Sequence, residues 1–229
     1  MKKAPAVILF AVAFAFVESA VVEYLRALYY PLEHGGFRFP LLTVSQLETM
    51  GAEHLRRLAI ELGRELSTLV MLATLAVAAG SNRRESWAHF LIAFGVWDIF
   101  YYVWLKLFID WPPAIMTWDL LFLLPVPWVS PVLAPILVSL TMVCSGLIVL
   151  VFEHRGTPLV VRPRDWTLLT LGGLVVIFAF CMDYDAVMQG TVPVAFHWPV
   201  FFAGLAIGIG TFLHMVFRRS SPRVEAIGD

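Results

Sequence analysis

Six apolar stretches, each long enough to cross the ~30 Å of bilayer hydrocarbon at about 1.5 Å per helical residue, constrain this chain more than any other feature. They run approximately over residues 4–28, 57–79, 86–109, 132–153, 166–189 and 194–216. In lipid every backbone N–H and C=O needs an internal partner, so isolated segments of this kind form helices. Composition agrees: 60% of the 229 residues are hydrophobic and only 14% are charged, with a mean hydropathy of +0.81. Soluble domains carry about a quarter charged residues. A soluble core of this size could not hide so much apolar surface. The expected fold is all-α: a polytopic six-transmembrane-helix bundle forming a single integral membrane domain over 1–229. The formal charge of -1 gives no reason to expect a nucleic-acid partner.

Lys2 and Lys3 followed by an apolar run resemble the start of a signal peptide. Cleavage after Ala20 would place Glu18 where a small residue is wanted, and the apolar register continues through Val21, Val22, Tyr24 and Leu25. A retained first helix is the expectation. With the N-terminus inside, the inner side holds Lys2, Lys3, Arg83, Arg84, Arg155, Arg162, Arg164, Arg218, Arg219 and Arg223. The outer side and outer half hold Arg26, Arg38, Arg56, Arg57, Arg64 and Lys106. Cationic residues favour the cytoplasmic side, so both termini are expected in the cytoplasm of a multi-pass protein of the cytoplasmic membrane. Acids beside the outer cations strengthen the bias: Arg26 follows Glu23 by three and Arg57 follows Glu53 by four, spacings that pair on a helix.

The outer connections are the irregular ones. Residues 31–56 carry Pro31, Gly35, Gly36 and Pro40, then a surface helix capped by Thr43 or Ser45. Residues 110–131 contain Trp111, Trp118, Trp128 and a run of prolines, and Leu120 to Leu124 is too short to span. A short re-entrant or interfacial segment before the fourth span is expected, since irregular backbone at membrane depth is tolerated when protein or a water cavity covers it. An aromatic interfacial belt is the plainer alternative. Gly204 and Gly208 in the sixth span, and Ala11, Ala15 and Ser19 in the first, read as close helix-packing faces or as an oligomer or partner-subunit surface. Cys144 and Cys181 lie in apolar runs and read as small buried hydrophobes rather than as a disulfide or metal pair.

Chemistry concentrates in the ionisable residues inside the spans. A charged side chain at the bilayer centre costs about 2.5–3.5 kcal/mol, so it faces a partner, a cavity or a ligand. Glu18 lies ~21 Å up the first span, Glu61 and Glu65 ~6 and ~12 Å below the outer end of the second, and Asp98 ~18 Å up the third. All four fall at or above the midplane. Glu61 and Glu65, four apart, share a helix face that Thr68 continues, and Arg57 or Arg64 can relieve their repulsion. Tyr101 and Tyr102, three and four residues after Asp98, can cap its carboxylate, with Lys106 two turns above. Asp119, Asp183 and His197 are expected to line the mouth of the resulting pocket.

Three functions compete for these residues. The leading one is binding or translocation of a small polar or cationic solute, by the chain alone or as a subunit. The second is a metal-dependent membrane enzyme acting on a lipid-like substrate, with a divalent metal on Glu18, Glu61, Glu65, Asp98 and His197, hard oxygen donors plus one imidazole. The third is a structural or assembly protein whose charges pair internally. No nucleotide loop, haem-attachment pair, nucleophile elbow or zincin helix is present. The short-looped six-span layout with a small-residue first helix resembles the substrate-binding subunits of vitamin importers in architecture. That resemblance includes no shared motif, so it implies no site residue.

The orientation is directly testable. A single cysteine placed in the 155–164 connection is expected to escape a membrane-impermeant thiol reagent in intact cells and to react after permeabilisation. Labelling from outside would reverse the assignment.

Overall fold

The computed structural model describes residues 3–29, 52–188, 191 and 193–220, without the side chains of 25–29, 52–55, 57, 58, 187, 188, 219 and 220. Residues 31–51 of the expected surface helix lie outside the described residues, as do the side chains of Arg26, Glu53 and Arg57, on which the Glu23–Arg26 and Glu53–Arg57 pairs depend. Among the described residues, seven helices and two strands follow in order: α1 (Ala4–Tyr29), α2 (Ala52–Ala79), α3 (Arg83–Ile109), β1 (Trp118–Phe122), β2 (Trp128–Pro131), α4 (Leu133–His154), α5 (Pro163–Cys181), the short α6 (Tyr184–Met188) and α7 (Trp198–Ser220). Among the described residues six segments are long and apolar enough to cross a membrane: Ala4–Tyr24, Ala59–Ala79, Arg83–Ile109, Leu133–His154, Pro163–Ala186 and Trp198–Arg218. The chain is thus built as a multi-pass membrane protein that would contact the lipid bilayer.

Local chemistry moves the helix ends away from the hydropathy boundaries. The third span starts at Arg83 rather than 86 because the Asn82 side chain accepts from the backbone N–H groups of Arg84 and Glu85, at 2.9 and 3.0 Å. The fifth starts at Pro163, a residue suited to the first helical position, and the Asp165 carboxylate accepts from the Arg162 N–H at 2.8 Å. It breaks at Met182–Asp183 and resumes as α6. The sixth begins at Trp198, four residues later than expected.

α3 is the hub, packing against α1, α2 and α4, while α5 pairs with α7. On α1 the small-residue face meets α3: Ala11, Ala15 and Ser19 are fully buried. Small side chains let the backbones close in, and two bonds fix the register. Ser19 Oγ donates to the Tyr101 carbonyl at 3.0 Å and Trp104 Nε1 to the Val12 carbonyl at 3.1 Å. Cys144 is exposed on the bundle and Cys181 half-buried, so neither is the core hydrophobe expected.

The segment before the fourth span is an antiparallel β-hairpin, an exception to an all-helical fold. Trp118 pairs with Pro131, Asp119 with Ser130, Leu120 with Val129 and Phe122 with Trp128, with an irregularity between Leu120 and Phe122. Pro125 and Pro127 in its turn, and Pro131 at the end of β2, rule out a continuous helix. The tip reaches far into the bundle. The Phe122 ring lies 6.5 Å from Phe94 and 6.4 Å from Trp97, and Phe94 sits ~22 Å along α3 from its Ile109 end. On the other side Trp128 stacks on Phe180 at 6.3 Å, and Trp118 meets Phe196 edge-on at 6.1 Å. The hairpin wedges between the α3 group and the α5–α7 pair.

At the opposite end of the bundle, where arginines collect, the helices are tied by ion pairs. Arg84 bonds Glu153, and Arg218 bonds Asp165 at 3.0 Å.

The α5–α7 contact depends on glycine. A Cβ on Gly204 would stand 2.8 Å from both the Gly172 carbonyl and the Val176 amide nitrogen, and one on Gly172 would stand 2.9 Å from the Gly204 carbonyl. Only backbone fits there. Gly204→Val is therefore expected to lower stability by about 1–3 kcal/mol through forced separation of the helices. Gly208→Ala, whose Cβ would meet nothing within 4 Å, is expected to leave stability equal or slightly higher. Thermal melting of the purified protein distinguishes the two.

Candidate functional site

At the hairpin end, the expected carboxylates resolve into two adjoining groups joined by the hairpin. The first centres on Arg64. α2 carries Glu61, Arg64, Glu65 and Thr68 on consecutive turns, and α1 presents the buried Glu18 to them. Arg64 Nη1 bonds Glu18 and its Nη2 and Nε bond Glu61, with the Nε donating to both Glu61 oxygens at 3.0 Å. Thr68 Oγ1 donates to the other Glu18 oxygen at 2.7 Å. Glu18, which has no cation on its own helix within a turn, is satisfied wholly from α2.

Glu65 points the other way. Both of its oxygens accept from the backbone N–H of Leu123, at 3.2 and 3.0 Å. Leu123 is the first residue past β1, where the ladder has ended and its N–H has no strand partner. A buried N–H left unpaired costs about 1–3 kcal/mol, and a carboxylate is a strong acceptor for it. Glu65 thus fastens the hairpin tip to α2.

The second group lies between α3, the hairpin and α4. Ser139 Oγ on α4 donates to Asp98 at 2.7 Å. Tyr102 donates from its hydroxyl to Asp119 Oδ2 at 3.0 Å. This corrects the expected pairing: the phenol one turn above Asp98 reaches across to β1 instead, and a serine from another helix takes its place. Asp119 is 2% exposed, so it is an interior group and does not line a mouth. Trp97, beside Asp98 and packed on Phe122, carries a buried indole N–H with no partner among the described residues.

The remaining expected residues separate. Tyr101 is half-buried, its ring edge-on to Tyr102 at 5.1 Å and within electrostatic reach of Arg64. Lys106 turns away from the cluster to bond the Asp110 side chain at 2.6 Å and the Pro112 carbonyl at 3.1 Å, at the exposed end of α3. Its expected tuning role has no geometric basis, because the left-handed turn at Asp110, with φ of 54°, brings a nearer acceptor to it. His197 Nε2 lies 3.3 Å from Asp183 Oδ1, tying the start of α7 to the end of α5 rather than to the carboxylates. Among the described residues no three histidine, cysteine, aspartate or glutamate side chains converge to hold a metal ion, so the five-residue donor set is not assembled.

Ser139, Leu123 and Trp97 were not singled out from the sequence. A serine in an apolar run and a backbone amide carry no local signal, and Trp97 reads as one aromatic among many.

Removal of Arg64 leaves two carboxylates uncompensated. Arg64→Met is expected to destabilise the protein by about 3–5 kcal/mol, as for other broken buried pairs, and Glu18→Leu added to it is expected to recover part of that loss. A double-mutant thermal-melting cycle measures the coupling. Additive losses would show that the pair does not act as a unit.

No family model matches the chain, and neither a curated protein nor a solved structure matches it.

Proposed function

We propose that this is a single-domain integral protein of the cytoplasmic membrane, with both termini inside, whose hairpin end binds or translocates a small polar or cationic solute, alone or as a membrane subunit. One observation carries the reading. Arg64 is the one cationic side chain paired with any of Glu18, Glu61, Glu65 and Asp98 among the described residues. A set of carboxylates this far in excess of its cations, within an apolar bundle, favours uptake of a cation or of protons. The unpaired Trp97 N–H, on the helix that carries Asp98, supplies a donor for a polar solute. The hairpin serves here as a re-entrant element that keeps lipid away from these groups.

A different observation favours the structural reading. Glu18, Glu65 and Asp98 each already accept a bond from the protein: from Arg64 and Thr68, from Leu123, and from Ser139. These bonds lock α1 to α2, α2 to the hairpin and α3 to α4, as an assembly or scaffold protein would require. The metal-enzyme reading gains no such support, because its donors are dispersed.

Native mass spectrometry of protein released from lipid nanodiscs separates the two readings. A bound non-lipid adduct that disappears in Asp98→Asn, with the melting temperature kept, is the expected result. A bare parent, with Glu18→Gln, Glu65→Gln and Asp98→Asn changing stability alone, would overturn solute binding and leave internal pairing.

A further inference from the structure

The close crossing of α5 and α7 at Gly172 and Gly204 gives way, toward the arginine-rich end, to a cavity of about 320 Å³ between the same two helices. Its wall is formed by Leu168, Gly210, Thr211 and His214, and its rim by Arg162, Arg164, Asp165 and Arg218. A Cβ at Gly210 would meet nothing within 4 Å, so open space adjoins this position.

The charge on the rim is unbalanced. Arg218 and Asp165 neutralise one another: Arg218 Nη2 donates to Asp165 Oδ2 at 3.0 Å and to the Val160 carbonyl at 2.7 Å. Asp165 also accepts from the Arg162 backbone N–H. The side chains of Arg162 and Arg164 are exposed and make no ion pair among the described residues. They flank the N-terminus of α5, which adds positive potential at the same point. Trp87 and Trp166, both exposed and in edge-on contact at 5.9 Å, lie at this end of the bundle, as tryptophans at a membrane–water boundary do. Leu213 and Phe217, exposed on α7 beside the cavity-lining positions, offer an apolar strip.

A cationic rim, an adjoining apolar strip and a boundary position together match an amphiphile with an anionic head. We propose that this cavity seats the phosphate of an anionic membrane lipid, with Arg162 and Arg164 holding the headgroup and the acyl chains lying along Leu213 and Phe217. Basic pockets between membrane helices recognise lipid headgroups on this principle. A free phosphate ion would use the arginines but not the apolar strip.

The probe is protein in nanodiscs of phosphatidylcholine mixed with phosphatidylglycerol, with retained lipid read by native mass spectrometry. The parent is expected to retain phosphatidylglycerol selectively. Each of Arg162→Gln and Arg164→Gln is expected to weaken that retention about fivefold. Gly210→Leu fills the cavity without changing charge and is expected to abolish the selectivity, whereas Arg155→Gln, which removes an arginine near the same end but outside the cavity, is expected to keep it. Equal retention of the two lipids by the parent would overturn the proposal. So would undiminished selectivity in the Arg162→Gln, Arg164→Gln double variant, a readout that stands even if Gly210→Leu fails to fold. Displacement of the lipid by inorganic phosphate would reassign the cavity to a free anion and overturn the lipid assignment.

Discussion

The bond from the Leu123 N–H to Glu65 resolves a conflict that the fold creates for itself. A two-stranded hairpin has two open edges, and within an apolar bundle neither edge has water to bond. The hairpin is held by replacing that water with fixed groups. Glu65 takes the N–H at the tip, Asp119 is tied to Tyr102, and the base of the hairpin is closed by the Val132 N–H to the Thr117 carbonyl at 2.9 Å and the Leu133 N–H to the Ile115 carbonyl at 2.8 Å. Once the hairpin is in place, much of the rest follows. Phe122 fills the space above Phe94 and Trp97, Trp128 bridges to Phe180, and the α3 group and the α5–α7 pair are joined mainly through it. A carboxylate that looks like a defect in an apolar helix is, at position 65, the acceptor that fastens the hairpin tip.

That dependence explains which parts of the structure were legible in the sequence. The six spans were, because membrane length and hydropathy are properties of a contiguous window; the ends moved only where a cap such as Asn82 or a starting proline such as Pro163 took over. The Arg64–Glu61 pair was legible because it lies within one turn. Arg64 and Glu18 lie on different helices, so their pairing needed the crossing of α1 and α2. The partners of Asp98, Glu65 and Tyr102 were not legible. Each comes from a segment at least 17 residues away, and two depend on a hairpin that no alternation of polar and apolar residues announces. Gly172 escaped notice because its neighbour Gly173 looks identical in sequence, while only the former faces α7.

The two ends of the bundle handle charge by opposite means. At the arginine-rich end Glu153 bonds Arg84, Asp165 bonds Arg218 and Glu85 accepts from the Ser81 N–H, and among the described residues further arginines remain over. Those side chains are exposed, where an unpaired arginine is well solvated or meets a headgroup at little cost. At the hairpin end acids outnumber cations and are largely buried, and they are held by three hydroxyls, a backbone amide and one guanidinium. Burial makes that surplus far more expensive per group than the exposed positive one. A fold needing only mechanical locking could make the same cross-links with neutral residues, since Gln at 65 or Asn at 98 keeps an acceptor for Leu123 or Ser139. Retaining ionisable groups at these positions is therefore the feature that the bonds alone do not account for, and it is what gives the solute-binding reading its weight over the purely structural one.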